Sequence, residues 1–220
     1  MPHPKPIGIF GGTFDPIHLG HLRLAEELGD ALGCAEVRFI PTGTPPHRDA
    51  PRASAAARRA MVALAIADNP RFVLDERELT RVGPCYMFDT LTSLRAEVGA
   101  HTPLVLFLGG DAFLGLTAWH RWAELFDLAH VAIGHRPGFG PAAWGDTLPE
   151  ALHQCLENRA TAGLSDIQSA PAGRIYLCAM TQMDIAARRI RSACQRGTSV
   201  RYLVPIAVAA YLEHHPLYQN

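Results

Sequence analysis

Apolar residues in this chain fall in short unbroken runs, separated by longer stretches with helical spacing. Pro6–Phe10, Val37–Ile40, Arg71–Leu74, Leu104–Leu108, Val131–Gly134 and Ile175–Cys178 have the length of strands. Several lack polar alternation, which predicts cover on both faces. Between them, Leu22–Leu32, Ala55–Ala67, Asp89–Val98, Leu148–Ala160, Ala187–Gln195 and Pro205–His214 read as helices. Met61, Leu64 and Ala65 form one expected apolar stripe, and Pro205 stands where a first helical residue tolerates proline. Strands alternating with helices predict crossover units and an α/β fold around a mostly parallel sheet. Thr42–Ala53, Arg136–Thr147 and Gly163–Gly173 are rich in glycine, proline or polar residues and are expected to be irregular. None has the length of a domain linker and no repeat is present, so residues 1–220 read as a single domain.

One junction in that pattern carries chemistry. The run ending at Phe10 leads into Gly11-Gly12-Thr13-Phe14-Asp15-Pro16-Ile17-His18-Leu19-Gly20-His21, and a helical pattern follows. A helix start leaves main-chain N–H groups unpaired and its dipole favours an anion, so strand, glycine turn and helix make a phosphate site. His18 and His21 share one helix face, and Gly20 bears no side chain to keep an anion from the backbone. The histidines suit phosphate as hydrogen-bond donors, or as imidazolium balancing a leaving pyrophosphate. A pair of surface histidines, or a zinc or iron site with Asp15, are the rival readings of these residues.

Composition narrows the field. With 220 residues, 48% hydrophobic and 19% charged, the chain reads as an ordinary globular protein. A net charge of −1 gives no electrostatic reason for a nucleic-acid partner, and no apolar run suggests a membrane span. Five scattered cysteines without a C-x-x-C pair, and a start without a secretory pattern, point to free thiols in the cytoplasm and no structural zinc.

Other residues stand on loops expected at strand ends. Arg48 follows Pro45-Pro46-His47, where a cation on a stiffened loop suits a phosphate as well as solvent. Gly109-Gly110-Asp111 follows Leu104–Leu108; the aspartate suits a ribose hydroxyl, or a helix N-cap. Trp119 and Trp122 read as core from spacing alone. Arg188, Arg189, Arg191, Arg196 and Arg201 form the densest positive charge, with Arg191 the strongest candidate to reach phosphate.

Gly11–His21 resembles the signature of the nucleotidyltransferase superfamily. The longer set resembles bacterial nicotinate-nucleotide adenylyltransferases: Pro41–Arg48, Tyr86–Leu91, Phe107–Asp111, Trp119–Leu125, Arg136-Pro137-Gly138, Asp184–Arg191 and Tyr202-Leu203-Val204-Pro205. The resemblance implies a Rossmann-like three-layer sandwich and adenylyl transfer from ATP, with Mg2+, to nicotinate mononucleotide. It implies catalytic roles for His18, His21 and Arg191. It places ATP on Gly11, Gly12, Thr13, Phe14, His18, Gly20, His21, Gly110, Asp111, Arg188 and Arg191. It places the mononucleotide on Thr13, Asp15, Arg48 and Trp119, the last stacking on the pyridine ring. Magnesium is expected on ATP oxygens and water without a metal cage, and a homo-oligomer is left open. Two departures stand out. The family's Ser-Ser/Ala-Thr run is Ala186-Ala187-Arg188 here, and its Ser-Tyr-Thr is Cys85-Tyr86-Met87. The rivals are a superfamily member acting on another acceptor, such as phosphopantetheine, and a nucleotide-binding regulator that has lost catalysis.

Overall fold

The unbroken apolar runs become the inner strands. In the computed structural model, which describes residues 4–45, 50–135, 140, 144–181 and 183–219, seven strands hydrogen-bond in the order β3-β2-β1-β4-β5-β7-β6. They are β1 (Ile7–Gly12), β2 (Glu36–Pro41), β3 (Phe72–Leu74), β4 (Leu104–Gly109), β5 (His130–His135), β6 (Ala160–Thr161) and β7 (Ile175–Ala179). The β1–β4, β4–β5, β5–β7 and β6–β7 pairs are parallel. The helices are α1 (Leu19–Ala31), α2 (Ala55–Ile66), α3 (Met87–Val98), α4 (Gly110–Leu114), α5 (Leu125–Leu128), α6 (Glu150–Arg159), α7 (Leu164–Ser169), α8 (Ala187–Gln195) and α9 (Ile206–His214). This is a Rossmann-like α/β fold. Among the described residues no helix is long and apolar enough to cross a membrane.

Two compact units make up the chain. The first comprises Met1–Phe10, Leu24–Val37 and Tyr86–Gln182. Its core is β4 and β5, where Leu104–Phe107 and Val131–Ile133 are buried on both faces, with Leu91, Leu94, Leu152, Leu156 and Ile167 from helices. Arg95 ties this unit's loops by donating to the carbonyls of Thr102 at 2.6 Å and Leu128 at 2.6 Å. The second unit comprises Gly11–Arg23, Arg38–Cys85 and Met183–Asn220. Phe14, Phe39 and Phe72 pack in series there, and α9 lies on α2.

Several expectations change in detail. Gly11 and Gly12 finish β1, so the turn begins at Thr13. Helix α1 starts at Leu19, three residues earlier than its apolar stripe suggested, because His18 rather than a Ser or Asp caps it. Pro205 is the N-cap of α9 and not its first residue. On α2 the buried stripe is Ala57, Arg58, Met61, Val62 and Ile66, and Leu64 is exposed. The Gly163–Gly173 segment is not irregular: it holds α7, whose buried Ile167 supplies the apolar anchor.

Candidate active site

The residues Thr13–His21 lie in the second unit and leave the carboxyl end of β1, where the strand order reverses. His18 occupies the N-cap of α1, and its carbonyl accepts the His21 N–H at 2.9 Å. The two histidines also cap one another. His18 Nδ1 accepts the His21 main-chain N–H at 3.3 Å, and His21 Nδ1 accepts the His18 N–H at 3.2 Å. This is the reciprocal logic of a Ser–Glu capping box built from two imidazoles. The rings stack with centroids 3.6 Å apart.

Two consequences follow for their chemistry. An Nδ1 that accepts carries no proton, so each neutral ring holds its proton on Nε2 as a donor. Burial holds His18 down to about pH 4, with its main-chain hydrogen bond opposing. Burial also lowers His21 well below its ordinary value, and the neighbouring His18 charge lowers it further. Both rings are therefore held toward their neutral, donor form at neutral pH, away from the imidazolium pair that the sequence also allowed. Gly20 is what lets the His18 ring lie there. A Cβ at that position would stand 3.1 Å from His18 Nδ1 and 3.2 Å from Cε1, tighter than ordinary van der Waals contact.

A second helix start joins the first. The same Cβ would stand 3.8 Å from Cβ of Ile185, one residue ahead of Ala186, the N-cap of α8. Ala186 offers no side-chain cap; its carbonyl accepts the Arg189 N–H at 2.9 Å, and no side chain at that position covers the start of α8. Arg191 on α8 donates Nη1 to the Asp15 carbonyl at 2.7 Å, while Arg188 and Arg189 are exposed. Arg189 pairs with Asp184 at 2.7 Å. Two positive helix ends and an arginine thus converge beside two imidazole donors, an arrangement that suits a polyphosphate.

The turn between them is fixed from beneath. Phe14 is 2% exposed, with its ring packed on Phe39 and edge-on to His21 at 5.2 Å. Asp15 is buried as well. Its carboxylate accepts the Arg52 N–H at 2.8 Å, the Ala53 N–H at 3.1 Å and the Tyr218 hydroxyl at 2.7 Å. That carboxylate is therefore engaged by protein donors where the resemblance placed it on the mononucleotide. Arg58, 1% exposed, donates to the Thr13 carbonyl at 2.9 Å and the Gly43 carbonyl at 3.3 Å. Burial lowers its guanidinium from the ordinary value and the Asp15 charge opposes this. Gly43 itself must be glycine, since a Cβ there would meet the Glu78 carbonyl oxygen at 2.2 Å.

Sequence reasoning missed Arg58 and Tyr218. A charged residue on the buried stripe of α2 was a readable signal for the first; nothing local marked the second. Arg48 and Arg136-Pro137-Gly138 lie outside the described residues.

The remaining candidates belong to the first unit. Gly109, not Asp111, caps α4, and Asp111 is exposed in its first turn without a capping bond. Its carboxylate thus has no structural duty at the cap. Trp119 is half-buried at the end of a single 3-10 turn, Leu116–Ala118. His120, the residue after Trp119, holds its ring 4.5 Å from that of Tyr86, and the Arg121 guanidinium lies 3.6 Å over Phe88. Trp122 is not core; with Gln154, Cys155 and Arg159 it lines an open cavity of about 680 Å³.

Known proteins resemble this chain in sequence and in fold. A family model described as cytidylyltransferase-like matches residues 9–192. A probable nicotinate-nucleotide adenylyltransferase of Dechloromonas aromatica is 48% identical over 98% of this chain and 99% of its own. One of Aeromonas hydrophila is 46% identical over 97% of each. Among solved structures, the Plasmodium falciparum nicotinic acid mononucleotide adenylyltransferase complexed with NaAD has a TM-score of 0.70 at 16% identity and covers 97% of each chain. At that identity the likeness is one of fold.

Proposed function

The chain belongs to the nicotinate-nucleotide adenylyltransferase family, within the cytidylyltransferase-like proteins, and we infer that it transfers the adenylyl group of ATP to nicotinate mononucleotide. An oxygen of the mononucleotide phosphate attacks the α-phosphorus of ATP. A new P–O bond forms, the bond bridging the α- and β-phosphates breaks, and pyrophosphate leaves with the electron pair. The product is nicotinate adenine dinucleotide. No covalent intermediate is needed, so the protein contributes positioning and charge stabilisation.

The reciprocal capping of His18 and His21 is the observation that carries this reading. It fixes both Nε2–H groups as donors at a helix start. Donors held in place before the reaction stabilise charge developing on phosphate oxygens without reorganising. The first turn of α8, without a side-chain cap at Ala186, supplies main-chain N–H groups to the same anion. Arg188 stands exposed at that helix start in place of the family's hydroxyl and offers a charge-assisted bond. ATP enters as its Mg2+ complex. Its ion would keep phosphate oxygens and water as ligands, in accord with a loop whose one carboxylate, Asp15, is taken by protein donors. Trp119 is the proposed platform for the pyridine ring, and Asp111 the proposed partner of a ribose hydroxyl. Five free cysteines accord with a reducing cytoplasm.

The test is pyrophosphate release from ATP with nicotinate mononucleotide, nicotinamide mononucleotide and phosphopantetheine compared side by side. Fastest turnover with the first is expected. Preference for phosphopantetheine would move the chain to another branch of the superfamily, and ATP binding without turnover would make it a regulator. His21→Ala should lower kcat by about 10²-fold or more, as loss of a charge-stabilising donor does. An unchanged kcat removes His21 from the chemistry.

A further inference from the structure

The signature loop holds an unusual backbone between two anchored residues. Phe14 sits at φ 48°, a left-handed conformation that a bulky side chain rarely adopts. Such a conformation persists only where the surroundings over-determine it. On one side, Arg58 holds the Thr13 carbonyl at 2.9 Å. On the other, Asp15 is held at its carbonyl by Arg191 at 2.7 Å and at its carboxylate by three donors. Of those three, two are main-chain N–H groups at the approach to α2. The third is the hydroxyl of Tyr218, 203 residues further along and donating at 2.7 Å.

Tyr218 lies in the segment after α9 and is 1% exposed. A buried carboxylate that loses a donor is left with an unpaired lone pair, so this bond is costly to remove. Burial first, and then Asp15, raise the phenol well above its ordinary value, so the hydroxyl stays a donor throughout the neutral range. Between Tyr218 and the reacting groups the path is short. Asp15 adjoins Phe14, and the Phe14 ring lies edge-on to the His21 imidazole at 5.2 Å.

We propose that Tyr218 is a positioning residue for adenylyl transfer: by fixing the Asp15 carboxylate it holds Phe14, and through that ring the His21 imidazole, in the arrangement the reaction uses. The inference rests on the reading that this loop cradles ATP.

Tyr218→Phe in the full chain keeps the ring and removes only the hydroxyl. The expected result is a fall in kcat of about tenfold, equivalent to roughly 1.4 kcal/mol of transition-state stabilisation. KM for both substrates should change far less than kcat, and the His21 ring resonances should shift in NMR spectra. A lower melting temperature with kcat per folded molecule and the His21 resonances unchanged would make the tyrosine merely structural and overturn the proposal. Asp15→Asn closes a double-mutant cycle. If the hydroxyl acts through Asp15, the double variant loses about as much as the worse single one, whereas additive losses contradict that route. Should the wild-type enzyme turn over none of the three acceptors, the functional reading fails. The NMR comparison then decides the positioning by itself: shifted His21 resonances sustain it, and unshifted ones refute it.

Discussion

Acid should destabilise this protein through His18 in a window that carboxylates alone do not explain. The imidazole is protonated near pH 6.5 in the unfolded chain and near pH 4 in the folded one, because burial penalises its charge. Above pH 6.5 both states are neutral at this residue and stability does not depend on it. Between 6.5 and 4 the unfolded chain holds a proton that the folded chain does not, so stability falls as pH falls. Below 4 both states are charged and the loss is complete. That interval, at about 1.4 kcal/mol per pH unit, amounts to roughly 3 kcal/mol. His21 adds to the loss in the same direction, its pKa lowered by burial and then by His18. His18→Asn removes the effect, together with the part of the His21 shift that His18 causes. Asparagine is a favoured N-cap, so its side-chain oxygen takes over the His21 N–H, and it does not titrate. Urea unfolding of both proteins from about pH 7.5 to 4 gives the comparison, with midpoints converted through a common m-value. The variant should retain roughly 3 kcal/mol more of its neutral-pH stability at the acid end. Parallel curves for the two proteins would refute the buried, neutral assignment of His18.

Three further outcomes are expected. Gly20→Ala gains about 1 kcal/mol of helix propensity yet forces the His18 ring away from a Cβ at 3.1 Å. Melting temperature should therefore hold while pyrophosphate release drops at least about tenfold, the effect of a small misplacement at reacting groups; unchanged turnover would show that the ring position is irrelevant. Trp119→Ala should raise KM for nicotinate mononucleotide and leave ATP affinity near normal, and equal losses on both substrates, measured by isothermal titration, would count against stacking. Ala187→Ser with Arg188→Thr should tighten ATP if the exposed arginine is a poor replacement for hydroxyls, whereas weaker binding would show that Arg188 has taken over the phosphate contact.

Much of the architecture was legible along the chain. Leu104–Leu108 and Val131–Gly134 are apolar without alternation because helices must cover both faces of such strands, and they are β4 and β5. Helix starts were harder to place. The α1 boundary was misjudged because a histidine pair takes the part usually played by serine and glutamate, and no pattern of apolar residues records a cap. The arginine on the buried stripe of α2 was visible but passed over, since only contact with the Thr13 carbonyl gives it a task.

The order of residues in Gly11–His21, taken with the later motifs, was enough to identify the family. That much is local: a strand end, a tight turn and a helix start follow from neighbours in sequence. The lowered pKa values of His18 and His21, the engagement of Asp15 and the bond to it from Tyr218 were decided by the tertiary structure alone. Each depends on which groups are withdrawn from water and which distant atoms meet them there. Burial and pairing across 203 residues leave no trace in the spacing of a chain.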